Sequence, residues 1–398
     1  MRLPILDHTA QVYGGLEATF GAGPAAAPAA ADALRFITFE SELAARRLIP
    51  NAEQLGHRGM GPPILGGYDP TPIKMVAPLV GSGVAATPPN IGRLLRAAGL
   101  LETVGADVLY SRDANPAASA WLARAHKDGS FGQLLAGCLF DGDLAFPDLG
   151  TADARIELNG KATRASTVYR NKVAGAVAIG ATALPLAEKT WVLAGAPAFV
   201  EVTEGANSEV MKVTAVDNSV TPAVATVVRA QAATTAKAFT AAATVRPYAP
   251  APVVPNTAAI GDPQVSLQVD LGAGLVGMQI VKAGLVIKPG LVLWEKEAGS
   301  EHILGFAPDR YGDDGCRLTL DAIYTTGDGP AIFHRLRQDQ TAIQAVVTVG
   351  NVAGNRMVAT LPACRVVECN APAGASGTRK GTIVLSAYGE SDVTLKFN

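Results

Sequence analysis

Apolar and polar positions alternate along most of the chain, and a period of two predicts strands. The alternation is clearest in RLTLDAIY at 317–324 and TIVLSAY at 382–388, the pattern of half-buried strands. Further strands are expected at 34–43, 72–80, 107–111, 117–124, 131–140, 142–146 and 154–158. Towards the end they are expected at 264–271, 278–281, 285–288, 291–296, 342–349, 356–361, 364–368 and 393–397. One stretch departs from this period. NIGRLLRAAGL at 90–100 places Ile91, Leu94, Leu95 and Ala98 on one helical stripe, with Arg93 and Arg96 pointing away. Asn90 suits an N-cap and Gly99 a C-terminal stop. A lone amphipathic helix in a β-rich chain is expected to lie across an open edge or face of a sheet, and the rest of the chain is expected to be organised around it.

Turn chemistry divides the strands. Asp141-Gly142 and Asn159-Gly160 are two-residue hairpin signals, and KDGS at 127–130 is a further turn. Residues 11–33, dominated by Ala, Gly and Pro, predict a loop or arm ordered by a neighbour. Residues 46–67 are rich in Gly and Pro, carry Arg46, Arg47, His57 and Arg58, and are too long for a plain hairpin turn.

At about Val168 the composition shifts to Ala, Val and Thr, with short strands in TWVLAG, AFVEVTE, SEVMKVTAV and VATVVRA. Val192, Phe199, Val202, Val210, Val213, Val227 and Val228 are the core candidates of this interval. RPYAPAPVVP at 246–255 then predicts an extended, semi-rigid exit linker. The expected organisation is a β domain in two parts, 1–167 and 256–398, interrupted by an inserted small β module at 168–255. The fold class is mainly β: an antiparallel β-sandwich or part-barrel with one short helix, plus an inserted small all-β domain.

Composition narrows the function. With 48% apolar and 17% charged residues among 398, the chain has ample core and is not a disordered one. The 42 glycines and 26 prolines fit many short strands and tight turns. A net charge of −2 supplies no basic field for nucleic acid or anionic membrane. No apolar run reaches the length of a membrane span, and residues 1–8 lack the apolar core of a signal peptide. Cys138, Cys316, Cys364 and Cys369 lack metal-ligand spacing and predict small buried side chains of a protein folded in a reducing cytoplasm.

No stretch predicts catalytic chemistry. Gly272-Ala273-Gly274-Leu275-Val276-Gly277 matches the dinucleotide pattern GxGxxG. That motif needs a helix next, and the following MQIVKAGLVIKPG alternates like a strand. Asp141, Asp143 and Asp148, and Asp309, Asp313 and Asp314, form acidic turns without calcium-loop spacing. His8, His57, His126, His302 and His334 show no paired metal spacing, and no GxSxG is present. Cys138 predicts core rather than a nucleophile, and the Arg46, Arg47 and Arg58 group fits phosphate binding or a solvated loop equally. No catalytic, cofactor-binding or metal residue is therefore expected, and no enzyme.

Several ordered stretches resemble the major tail tube proteins of long, non-contractile (siphovirus-type) phage tails. VYGGLEATFGAGP at 12–24 resembles the family's N-terminal E-x-T-[FY]-G segment, through Glu17, Thr19, Phe20 and Gly21. VAPLVGSG followed by IGRLLRAAGL is similar to its strand–loop–helix. KDGSFGQLLAGCLFDGDLAFPDLGTADARIELNGK at 127–161 is similar to its central strands, and GNRMVATLPACRVVE with GTIVLSAYG to its last sheet. The interval from 168 to 245 departs from the minimal pattern and resembles a small β module recurring in phage structural proteins.

The resemblance implies a structural virion protein of the tail, assembled in the host cytoplasm. Copies would close into rings, commonly hexamers, stacked into a hollow tube through which DNA passes. It implies tail terminator and tail-tip or baseplate proteins as partners. A tape measure protein and double-stranded DNA would occupy the lumen without tight binding, and no membrane insertion is implied. The two long loops are expected to bridge rings, and the module to sit outside the tube. The alternatives are a capsid decoration or tail-surface adhesin binding the host surface, or an enzyme using the 272–277 loop.

Overall fold

The strand Arg155–Tyr169 is the spine of the molecule. The computed structural model describes residues 10–41, 46–51, 61–149, 154–253, 265–270, 275–278, 280–294, 302–308, 315–323, 342–370, 380–389 and 392–398. Along one side of the spine run Phe131–Leu139 and then Leu144–Leu149. Along the other run Thr71–Pro78 and Val192–Ala194. Ala120–His126, Ala10–Leu16 and Ala33–Leu34 continue the sheet beyond Phe131–Leu139. Beyond Leu144–Leu149 it continues through Ile280–Ile287, Cys316–Ile323, Lys380–Ala387 and Asn355–Asn370. The chain is mainly β, and this antiparallel sheet is a nearly closed, barrel-like one. Both halves of the sequence fill a common core, from Val12 and Met75 to Leu385 and Phe397.

The hairpin signals fall elsewhere than at hairpins. Phe131–Leu139 and Leu144–Leu149 run in the same direction along the spine, so Asp141-Gly142 is a kink between two collinear strands. Asn159-Gly160 lies opposite that kink, inside the spine, and Gly142 N donates to Asn159 O at 3.1 Å. A Cβ on Gly160 would come within 2.2 Å of Leu139 O. Glycine is needed here for close backbone approach rather than for a turn. Similarly, 356–361 and 364–368 form one strand, Asn355–Asn370. Pro362 sits where the register shifts between Leu361 and Cys364 and where the partner changes from Thr394–Phe397 to Lys380–Ala387. A bulge is where a residue without N–H can be accommodated in a sheet.

The helix is shorter than expected, Gly92–Ala97. Asn90 is not its N-cap: that position is Ile91, and the Asn90 amide donates to Ala33 O at 3.2 Å. Gly99, at φ 78°, does end it. Leu94 and Leu95 are fully buried in the common core, while Arg93 reaches Asp32 at 2.7 Å and Gly14 O at 2.8 Å.

Neither expected long loop is a loop throughout. Ala10–Leu16 is a barrel strand whose neighbours Val12 and Tyr13 point to opposite faces and are both buried, Val12 in the common core and Tyr13 against Trp121 and Phe199 at the seam. Arg46–Asn51 and Gly61–Tyr68 form a two-stranded ribbon, paired only with each other among the described residues. The Pro and Gly content concealed its ladder.

Residues Asn171–Pro247 hold a separate six-stranded sheet. Its end strands meet through the Val173–Leu186 bridge, with Ala174 N donating to Pro185 O and Ala187 N to Lys172 O, each at 2.9 Å. Its own core centres on Trp191, whose indole N–H donates to Tyr169 O at 2.7 Å. Val202, Val210, Val213 and Val227 are buried, but Val192 and Val228 are exposed, because alternation turns Trp191 and Val227 inward instead. Phe199 faces away from this core and packs with Tyr13, Trp121 and Leu134 of the barrel. The proline-rich exit is not a free spacer over its described part: Tyr248 and Ala249 pack on the same seam, and Val253 N donates to Ala30 O at 2.9 Å.

Candidate functional site

The residues weighed for chemistry are scattered. The second half of the GxGxxG segment is itself strand, Leu275–Met278 pairing on Val265–Asp270, and the next described element, Ile280–Ile287, is again a strand. Gly272 and Gly274 lie outside the described residues. Asp141 is paired with Lys161 at 2.8 Å, and Asp148 lies 3.5 Å from Arg155 and 3.4 Å from Lys282. Asp309, Asp313, Asp314, His8, His57, His334 and Arg58 lie outside the described residues, as do the side chains of Arg46 and Arg47. His126 is buried beside Phe131, and His302 stacks on Tyr68. No group of three His, Cys, Asp or Glu able to hold a metal exists among the described residues. Cys138 is fully buried, and burial, with Glu17 nearby, holds its thiol well above the usual range. Burial likewise pushes Cys364 up to about 12, so neither of these two thiols is a thiolate at neutral pH.

What the sequence motif at Glu17 does is structural. Glu17 Oε1 accepts the backbone N–H groups of Gly23 and Gly137, and Oε2 accepts Gly21 N, each at 2.9 Å. The Ser119 hydroxyl donates to Oε2 at 2.6 Å. One carboxylate thus ties the TFGAG loop to the Gly137-Cys138 bend and to the start of Ala120–His126. Arg164 closes the loop from the spine by donating to Gly21 O at 2.9 Å. Glu17→Ala is expected to cost about 2–3 kcal/mol, since it strips the acceptor from partly buried donors. Glu17→Gln is expected to lose nearly as much, because its NH2 would face a donor. Urea denaturation of the three proteins checks this order.

The remaining candidate surfaces are strand edges. Leu100–Val104 pairs with Val108–Arg112 and with no other strand among the described residues. Leu101 and Val104 are 48% and 53% exposed on it, and Leu109 beside them is also exposed. By contrast, the six-stranded sheet has its two end strands bridged to each other. No helix of the described residues is long and apolar enough to cross a membrane.

Two features were not legible in the sequence. Arg112 and Asp392, 280 residues apart, form a buried bidentate pair with both contacts at 2.9 Å. Glu209 and Arg229 form a second one inside the six-stranded sheet, at 2.6 and 2.7 Å. Compared with protein-family models and with curated proteins, the chain has no match in either comparison.

Proposed function

We propose that this chain is a structural subunit of a long, non-contractile phage tail tube. Copies close into rings, hexamers on the family pattern, and the rings stack into a conduit for double-stranded DNA. Terminator and tail-tip proteins bound the tube, a tape measure protein occupies its lumen before DNA does, and the subunit performs no catalysis. The observation that carries the reading is the contrast between the two sheets. The barrel-like sheet leaves apolar strand edges such as Leu100–Val104 unpaired, which in a lone soluble protein is an aggregation liability and in a polymer subunit is an interface. The ribbon Arg46–Asn51 with Gly61–Tyr68 supports it too, because a two-stranded ribbon alone is marginal in water and gains stability from a neighbour. Residues 10–23 no longer do, being built into the barrel and its Glu17 knot. A net charge of −2 suits passage of DNA without tight binding. The six-stranded module, with bridged end strands, is assigned to the outside of the tube.

Mass photometry and negative-stain microscopy of the purified chain test this. Rings or hollow tubes are expected. A strictly monomeric protein would overturn the reading, and monomers that bind host cells would favour the decoration or adhesin alternative.

A further inference from the structure

Among the described residues the ribbon pairs with no further strand that would fix its direction, so the side-chain contacts at its base bear on how it leaves the barrel. Tyr68 is the last residue of the ribbon, and only Asp69 and Pro70 separate it from the barrel strand Thr71–Pro78. The Tyr68 ring lies on the His302 imidazole, centroids 5.4 Å apart and planes 6° from parallel. His302 is backed in turn by Gly195. That residue has φ 77°, and a Cβ there would come within 2.5 Å of His302 Nε2. Gly195 is itself immobilised: it bridges Ala165 of the spine and directly follows the strand Val192–Ala194, also paired to the spine. Four residues after His302, the same segment is held by Phe306, whose ring lies 5.4 Å from Phe20 in the Glu17-knotted loop.

A continuous stack therefore runs from the spine through Gly195 and His302 to Tyr68 and the ribbon. We propose that His302 is the positioning residue that sets the direction of the ribbon Arg46–Asn51 with Gly61–Tyr68. The planar imidazole is a spacer of fixed thickness between a backbone that leaves room for nothing larger than glycine and the ring at the base of the ribbon. Without it, Asp69-Pro70 is the joint about which the ribbon turns. The consequence for assembly rests on the tail-tube reading, in which the ribbon contacts a second copy of this chain; the positioning itself does not.

The test measures direction in the unassembled, full-length chain. Spin labels at Asn51→Cys on the ribbon and Thr103→Cys on the barrel, in a Cys369→Ser background, report one distance distribution by pulsed electron resonance. The buried Cys138, Cys316 and Cys364 are shielded from labelling. His302→Ala is expected to widen the distribution at least about two-fold, and His302→Phe, which keeps a flat ring, to leave it narrow. Tyr68→Ala removes the stack from the other side and is expected to widen it equally; it also decides the matter if His302→Ala does not fold. An unchanged width in folded His302→Ala or Tyr68→Ala overturns the proposal. Widening in a chain that forms no tubes upholds the positioning role and counts against the tail-tube reading alone.

Discussion

Arg112→Ala is expected to destabilise the barrel-like sheet by about 3–5 kcal/mol, the cost of leaving a buried charge without its partner. The Arg112 and Asp392 side chains are 3% and 2% exposed. Besides the bidentate contact, the guanidinium donates to Gly315 O at 2.7 Å and to Lys288 O. It therefore joins four segments distant in sequence: the strand Val108–Arg112, the approach to the last strand Thr394–Phe397, the residue after Ile280–Ile287 and the residue before Cys316–Ile323. Alanine would leave the Asp392 carboxylate and two carbonyls facing a cavity. Arg112→Met with Asp392→Leu should recover much of the loss, since an apolar pair of similar volume replaces a buried ion pair at little cost, although the two carbonyls still lack their donor. Urea denaturation followed by far-ultraviolet circular dichroism measures both. A single-variant loss under about 1 kcal/mol, the size of a surface pair, would show that water reaches the site.

The pair illustrates where sequence reading stops. Alternation in RLTLDAIY and TIVLSAY located strands because burial on one face of a sheet leaves a local record, and these two now lie side by side, Leu318 opposite Leu385. Glu17 was legible as part of a spaced motif, though not what its carboxylate holds. Pairing across long separation leaves no such record: nothing near Arg112 points to Asp392. Gly and Pro misled for a related reason. Their local preference is for turns, but at Gly160 and Pro362 the deciding facts are the Leu139 carbonyl opposite and a switch of strand partner, both supplied by distant residues. The same holds for the ribbon at 46–68, where composition suggested a loop and cross-strand pairing prevailed. Function was the least legible, because the proposed interface between copies would need exposed edges and not a convergent set of reactive side chains.

In the six-stranded module the largest effect is expected at Glu209, and its pH dependence gives the sharper test. The Glu209 side chain is fully buried and that of Arg229 is 9% exposed. Burial pushes the Glu209 carboxyl up, but hydrogen bonds from Arg229 and from the backbone N–H groups of Lys237 and Ala230 outweigh it and leave the carboxyl below its usual range. Arg229 extends the network to the carbonyls of Ala178 and Ala181 at 3.0 and 3.1 Å, so the pair fastens the 178–181 turn and the 230–237 segment to the sheet. A carboxyl whose native pKa is depressed contributes its full stabilisation above the unfolded value of about 4.3 and loses it as pH falls through the native value. The module is therefore expected to weaken below about pH 4.3, with hydrogen-exchange protection of the strands Ala198–Glu204, Asn207–Asp217 and Ala223–Gln231 falling together. Glu204 and Asp217 are also held below their usual range, by hydrogen bonds from Thr240 and Ser219 respectively, and both add to the same slope. Glu209→Ala isolates the buried pair: it should cost about 3–5 kcal/mol at neutral pH and flatten the acid slope relative to the parent. Exchange read strand by strand separates this module from the barrel, where protection of Arg155–Tyr169 up to the seam should change much less. Parallel acid slopes in parent and variant would show that the Glu209 carboxyl is not depressed in the folded chain and that the pair's stabilisation comes from packing alone.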